Sequence, residues 1–473
     1  LHRIIRDKPN HADIDKTVLQ MAQLRAFNSV FRITHYNFLR KYGIYEAYPE
    51  LAGKGDGALA GRYIAHKQGD QNRAPRASNP VFTKILTEWL MDIAEQGGTQ
   101  VSLWLTERPA QCGCKKCMKN GQFVWEARAS VNAWREVCKK YPELIIRLFI
   151  STTTDERYYK VLAEMPPEVK IERCCNMDSA RVQHLPRDLF VNPLFDWYAA
   201  HGRWMTSYDV PYPANGAVET PEFKIPESSA HRIRDFVRQL TDRKYRGACG
   251  MTGWHRMGKE ICGFNYQALA EWAWNLNGRT EKDFAIAWAT REGYKDPEAV
   301  GEWSELMGPV EFDVYDSDIP MCYSWGWAAD MIREKKPPVL GKGIFRYYAT
   351  PESFDEKIAV CEKALKIAGG FTNKYLFNET KVVLSYIKLA KSIYQIANKV
   401  CFADLSRAEN KKCLKEALAQ LEIAGDENAN AIRQWRSVLG LEPWNARVYD
   451  AIKATEKTVA GISKGVEEHT TPR

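Results

Sequence analysis

Long hydrophobic runs are missing from these 473 residues: no stretch of about 18 apolar side chains occurs, which excludes a helix spanning a bilayer. Blocks of like charge are missing too. The net charge of +8 is spread along the chain, and no Lys/Arg run reaches the roughly five to eight residues of a nucleic-acid or membrane patch, so no nucleic-acid partner is expected. No Gly-rich phosphate loop follows the first apolar run, which argues against a dinucleotide-binding doubly wound sheet. Nor is there the phosphate-binding Gly pair or strand-end lysine of an aldolase or isomerase barrel. Twelve cysteines do not make a disulfide framework in a chain this long. Cys249, Cys361 and Cys401 fall in apparent strands or helices, where thiols behave as small apolar groups. Regular repeats and low-complexity segments are absent. The chain begins at Leu1 without Met or a signal-like segment, so an internal start within a longer protein is expected.

What is present is a globular composition, 45% hydrophobic and 27% charged, with a large aromatic stock of 15 Trp and 22 Tyr. Most of these rings suit a large α/β core, and the surplus suits stacking on the C–H faces of sugars.

Along the chain, apolar runs alternate with helical spacing. Strands are expected at Leu1 to Asp7, Val30 to Thr34, weakly at Arg62 to Ala65, and at Val101 to Leu105, Leu144 to Ile150, Val169 to Cys174, Trp204 to Tyr208 and Gly247 to Met251. Helices are expected at Ala12 to Phe27, from Pro80 as an N1 proline through Glu95, near Val131 to Lys140 and Glu156 to Glu164, at Ser229 to Thr241, and over Asn265 to Trp274. Eight strand–helix units imply a (β/α)8 TIM-like barrel over residues 1–276. Residues 277–473 read as a C-terminal α-helical domain, with Gly369-Gly370, Gly425 and Pro443 as helix breaks.

The segment Val101-Ser102-Leu103-Trp104-Leu105-Thr106-Glu107 is the most telling. An apolar run able to be buried on both faces ends in a carboxylate, the way a barrel strand presents an acid at its C-terminal mouth. Glu107, desolvated beside Trp104, suits a general acid; the alternative is a surface Glu paired with Arg108. Asp209 ends another strand before Val210-Pro211-Tyr212-Pro213 and makes the second carboxylate of a glycosidase pair; the alternative is a turn-forming Asp before proline. Asp155 and Asp178 are weaker entries, better suited to loop or cap positions. His35, Tyr36, Asn37, Trp104, Asn176, Tyr208, Trp254 and His255 complete the expected sugar-binding mouth. Cys112, Cys114 and Cys117 invite a zinc reading, but no paired knuckle or fourth ligand follows. A loop-stiffening role, with no metal and no cofactor, is the expectation.

Tyr48-Pro49-Glu50, then Ser78-Asn79-Pro80 and its helix, then the strand ending Leu105-Thr106-Glu107 with Cys112-x-Cys114-x-x-Cys117, resemble a bacterial domain of formerly unknown function. Its barrel is similar to those of β-N-acetylhexosaminidases and α-glucuronidases, and one branch comprises endo-β-N-acetylglucosaminidases acting on N-glycans. The segment from Ala270-Glu271-Trp272 through Gly278-Arg279-Thr280, with Phe284 and Trp288, resembles the helix after the last strand there, so the resemblance covers roughly residues 1 to 300. It implies a glycoside hydrolase acting on N-acetylhexosamine-containing glycans, with periplasmic or extracellular location and an oligosaccharide or polysaccharide as partner. In hexosaminidases the matching strand ends Asp-Glu. The Glu protonates the leaving oxygen, and the Asp orients the acetamido group as internal nucleophile. Glu107 matches the Glu, while Thr106 stands where the Asp would be, so Asp209 is the candidate to support the acetamido group or act as a different second carboxylate. Two other readings stay open. One is a uronic-acid-releasing hydrolase using Arg32, Arg157 and Arg256 near strand ends. The other is a non-catalytic glycan-binding barrel, favoured by Thr106.

Overall fold

A computed structural model describes residues 30–33, 35–59, 73–106, 110–150, 156–173, 193–207, 228–248, 256–316, 325–439 and 451–470. The chain forms two compact units: residues 1–178, 189–209 and 240–249 in the first, and 179–188, 210–239 and 250–473 in the second.

The first unit holds a six-stranded sheet of β1 (Phe31–Ile33), β2 (Gln100–Trp104), β3 (Ile145–Ile150), β4 (Lys170–Arg173), β5 (Met205–Ser207) and β6 (Gly247–Ala248). Every pairing is parallel and the spatial order is the sequence order, β1-β2-β3-β4-β5-β6. A doubly wound sheet reverses its order at a switch point, and this one does not; the order is that of a (β/α)8 barrel. The strands expected at Leu1 to Asp7 and Arg62 to Ala65, and the helix at Ala12 to Phe27, lie outside the described residues.

The register sorts the strand side chains into two faces, because successive residues alternate. Phe31, Ile33, Val101, Leu103, Ile146, Leu148, Ile150, Ile171 and Met205 share one face, joined by Arg173 and Ser207 at the last positions of β4 and β5. That aliphatic face suits the amphipathic helices that cover a parallel sheet. The opposite face carries Arg32, Gln100, Ser102, Trp104, Arg147, Phe149, Lys170, Glu172 and Thr206.

The crossover helices have local causes. Helix α1 (Pro80–Glu95) starts where Asn79 Oδ1 accepts the Val81 N–H at 3.0 Å, with Pro80 in the first turn, as its sequence dictates. It buries Phe82, Ile85, Leu86, Trp89, Leu90 and Ile93. A short α2 (Lys115–Asn120) ends at Gly121, whose φ of 91° suits glycine, and α3 (Gln122–Cys138) follows at once. The helix expected near Val131 thus begins nine residues earlier, because Phe123, Val124 and Ala127 extend its buried face. A helix missed by sequence reading, α4 (Pro193–Ala200), lies between β4 and β5.

The second unit is helical: most of α5 (Ala230–Asp242), then α6 (Arg256–Trp274), α7 (Glu281–Arg291), α8 (Pro297–Asp316), α9 (Trp325–Arg333), α10 (Glu352–Gly369), α11 (Tyr375–Phe402), α12 (Ala408–Val438) and α13 (Ala451–Thr470). Gly369 ends α10 as expected, but Gly425 breaks nothing. It lies buried inside α12, where an added Cβ would sit 2.7 Å from Val459 Cγ2 of α13; this glycine is kept small by a close helix approach. Pro443 lies outside the described residues. Buried polar groups link these helices: Trp303 Nε1 donates to Thr380 Oγ1 at 2.8 Å, Asn428 Nδ2 to Ser385 Oγ at 2.9 Å, and Thr455 Oγ1 to Asn428 Oδ1 at 2.7 Å. No helix among the described residues is long and apolar enough to cross a membrane.

Candidate active site at the end of strand β2

Strand β2 is buried on both faces, as its sequence suggests, and its C-terminal end is held from two sides. On one side His35 Nδ1 lies 2.7 Å from the Leu105 carbonyl oxygen. A carbonyl only accepts, so Nδ1 carries the proton and donates. The His35 ring meets Trp104 edge-on at 4.7 Å and Phe149 at 5.6 Å, while Trp104 and Phe149 stack at 4.0 Å, nearly parallel. Paired rings of this kind add about 0.5–1.5 kcal/mol to their burial.

On the other side, Glu126 of α3 grips Thr106. Its Oε2 accepts the Thr106 N–H at 2.8 Å, and its Oε1 accepts the Thr106 hydroxyl together with Gln122 Nε2 at 2.8 Å. Glu126 is fully buried, and burial pushes its carboxyl up to about 7 despite these three donors. Gln122 extends the network, donating to the Pro75 carbonyl at 2.8 Å and accepting the Cys112 N–H at 3.0 Å. Ser130 donates to the Glu126 carbonyl at 2.8 Å, which leaves its oxygen to accept the Tyr36 hydroxyl at 2.7 Å. Tyr36 is wholly enclosed, with its ring edge-on to Phe82 of α1, and burial pushes its hydroxyl well above the ordinary range. It enters as a support of the strand end from the helical layer. Asn37 is also buried, and its carbonyl accepts the Arg73 N–H at 2.9 Å.

Beneath these rings runs a polar chain. Trp104 Nε1 donates to Ser102 Oγ at 2.9 Å, and Ser102 donates to Glu172 Oε2 of β4 at 2.6 Å. Ser102 thus spends its one proton on the carboxylate and its lone pair on the indole. Arg32 lies over Trp104, 4.6 Å from the ring centre. Arg147 and Lys170 cover Trp204 at 4.9 and 4.6 Å, and Arg147 donates to Gln100 Oε1 at 2.8 Å. Desolvation, then the charge of Arg147, depresses the Lys170 ammonium. Trp204 in turn leaves room only for glycine at 247, where a Cβ would come within 2.7 Å of its ring.

The structure therefore brings His35 and Trp104 together and puts Tyr36 and Asn37 in the adjoining turn. Glu107, Asp209, Asn176, Tyr208, Trp254 and His255 lie outside the described residues, as do Asp155 and Asp178. Sequence reading missed Glu126, Ser102, Arg147 and Glu172. For three of them a signal existed: polar residues recur at every second position in Gln100-Val101-Ser102, Ile146-Arg147-Leu148 and Lys170-Ile171-Glu172, marking one polar face in otherwise buried strands. Glu126 gave none, since a Glu in an amphipathic helix ordinarily faces water.

Next to this end of β2, the sulfurs of Cys112, Cys114 and Cys117 lie within 4.8 Å of one another.

No protein-family model matches the chain, and no curated protein matches it. Among solved structures it is similar to a mutant of the Thermobaculum terrenum O-GlcNAc hydrolase at 11% identity, over 97% of this chain and 85% of that one, with a TM-score of 0.42. A likeness of that degree says nothing about the residues of the site.

Proposed function

We propose that the protein is a glycoside hydrolase acting on N-acetylhexosamine-containing glycans, with Glu107 as general acid and Asp209 as the group that supports the acetamido nucleophile or stabilises the transition state. The observation that carries the reading is the construction of the end of β2: the two residues before Glu107 are fixed by His35 and Glu126 beside a Trp104–Phe149 stack. A general acid must meet the leaving oxygen within hydrogen-bond reach, and a strand end pinned through Leu105 and Thr106 is a fixed support from which to present one. β2 and β5 are parallel members of one sheet, so their C-terminal residues Trp104 and Ser207 lie at the same end of it. Two carboxylates from different strands of that end fit a glycosidase pair. The hydroxyl of Thr106, which stands where hexosaminidases carry an Asp, is taken up by Glu126. That makes Thr106 a support, and Asp209 is our candidate for the second acidic role.

The test is a panel of chromogenic and natural glycans, with product masses, on the wild-type chain and Glu107→Gln. Release of N-acetylhexosamine, lost by two to four orders of magnitude in Glu107→Gln with an unchanged thermal transition, is the expected result. Near-normal turnover in the variant refutes the role of Glu107. Uronic acid as the released sugar favours the uronidase reading, and an oligosaccharide bound but recovered intact favours a binding protein.

A further inference from the structure

The three-cysteine cluster takes no part in that chemistry and has a geometry of its own. Cys112 and Cys117 are buried and Cys114 is partly exposed, with all three sulfurs within 4.8 Å. We infer that Cys112, Cys114 and Cys117 form a mononuclear zinc site of three thiolates, with an oxygen at the fourth corner marked by Ser78. This inference stands independently of the proposed activity.

The distances select the ion. A tetrahedral zinc with bonds of about 2.3 Å to sulfur separates its thiolates by about 3.8 Å, so these sulfurs need to draw in by no more than about 1 Å. An iron–sulfur cubane spreads its cysteine sulfurs well beyond that spacing, and hard cations prefer oxygen. The fourth corner also fits. Ser78 Oγ, in a buried residue, lies 3.1 Å from Cys117 Sγ and 3.8 Å from Cys114 Sγ. These distances bracket the roughly 3.5 Å expected between an oxygen and a sulfur on one tetrahedral zinc.

Backbone donors already point at the sulfurs. The Lys54 N–H lies 3.4 Å from Cys112 Sγ, and the Cys117 N–H lies 3.4 Å from Cys114 Sγ, within the Cys114-x-x-Cys117 turn. Such outer bonds stabilise the charge of metal-bound thiolates. Lys115 and Lys116 beside the cluster offset the net negative charge that three thiolates leave on a divalent ion. On binding, the thiols lose their protons to the buffer and three Zn–S bonds form, with no change of oxidation state.

Such an ion would add a covalent-strength link between parts of the chain that hydrogen bonds already bring together. Gln111 N and Gly113 N donate to the carbonyls of Gly57 at 2.6 Å and Lys54 at 2.7 Å, and Ser78 stands just before α1. Loop stiffening, expected from sequence without a metal, is what the zinc would achieve.

The test uses the whole chain, purified under reducing conditions without chelator. Elemental analysis is expected to find about one zinc per chain. Titrating the metal-stripped, reduced chain with Co(II) should give thiolate-to-cobalt charge transfer and intense tetrahedral d–d bands. Iodoacetamide mapping should find Cys112, Cys114 and Cys117 protected in the zinc-loaded chain and alkylated after chelation. Cys117→Ser should lose the cobalt spectrum; because that variant can fail to fold for other reasons, the wild-type cobalt titration decides. Zinc far below stoichiometry together with no thiolate–cobalt absorption overturns the inference, and so does alkylation of the three cysteines that is equal with and without chelator.

Discussion

Replacing Glu126 by Gln tests whether the end of β2 is held by a buried carboxyl group with a shifted proton equilibrium. The folded-state value stands at about 7 against an ordinary 4.5, raised first by burial. The sign follows from linkage. Between about pH 4.5 and 7 the folded chain keeps a proton that the unfolded chain has lost, so folding stability from this group is complete below 4.5, falls as pH rises, and levels off above 7. At 1.36 kcal/mol per unit, a window of about 2.5 units corresponds to about 3 kcal/mol. Gln cannot titrate, so this slope disappears in the variant. Gln also has one acceptor oxygen where Glu126 presents two to Thr106 N, Thr106 Oγ1 and Gln122 Nε2. The threonine hydroxyl can turn and accept from the new amide, but one N–H is then set against another, at about 1–3 kcal/mol. The variant should therefore be clearly less stable than the wild type at pH 4.5, and the gap should close by about 3 kcal/mol by pH 8, approaching zero or changing sign. Urea unfolding followed by fluorescence at a series of pH values measures that difference. A gap that is constant, or that widens with pH, refutes the reasoning.

Ser102→Ala removes the link between the Trp104 indole and the Glu172 carboxylate, and should cost about 2–3 kcal/mol in urea unfolding, since two buried groups lose a partner. Gly425→Ala should destabilise the helical unit by about 1–3 kcal/mol through overpacking against Val459, and Val459→Ala should restore most of that loss in a double-mutant cycle. Trp303→Phe keeps the ring but abandons Thr380 Oγ1, so a loss of about 1 kcal/mol in thermal or urea unfolding is expected; a loss beyond that of Thr380→Val would place the cost in packing.

Strand β2 was legible because a parallel strand buried on both faces must be largely apolar, and Gln100–Trp104 appears within a residue of its expected bounds. Helix α1 was legible through Asn79-Pro80, which supplies both a cap and a pre-set first turn. Helix α4 was not, since its eight residues are too few to display an amphipathic period. Gly425 misled because glycine usually ends a helix, whereas here the space it vacates is filled by another helix. At the candidate site, His35 and Trp104 were found as aromatic residues near strand ends. Glu126 was not, because it reads as a surface helix residue until Thr106 is seen beside it.

Hydrophobic period and turn chemistry are properties of neighbouring residues, so the alternation of strand and helix, the helical second half and the strand that leads towards Glu107 follow from local sequence. No local pattern announces that Glu126 closes on Thr106, that Ser102 meets Glu172 seventy positions away, or that Ser78 stands beside the sulfurs of Cys114 and Cys117. Hydrogen bonds, desolvation and metal coordination depend on separations of a few ångströms between distant segments, and those separations exist only once the sheet and its helices have packed.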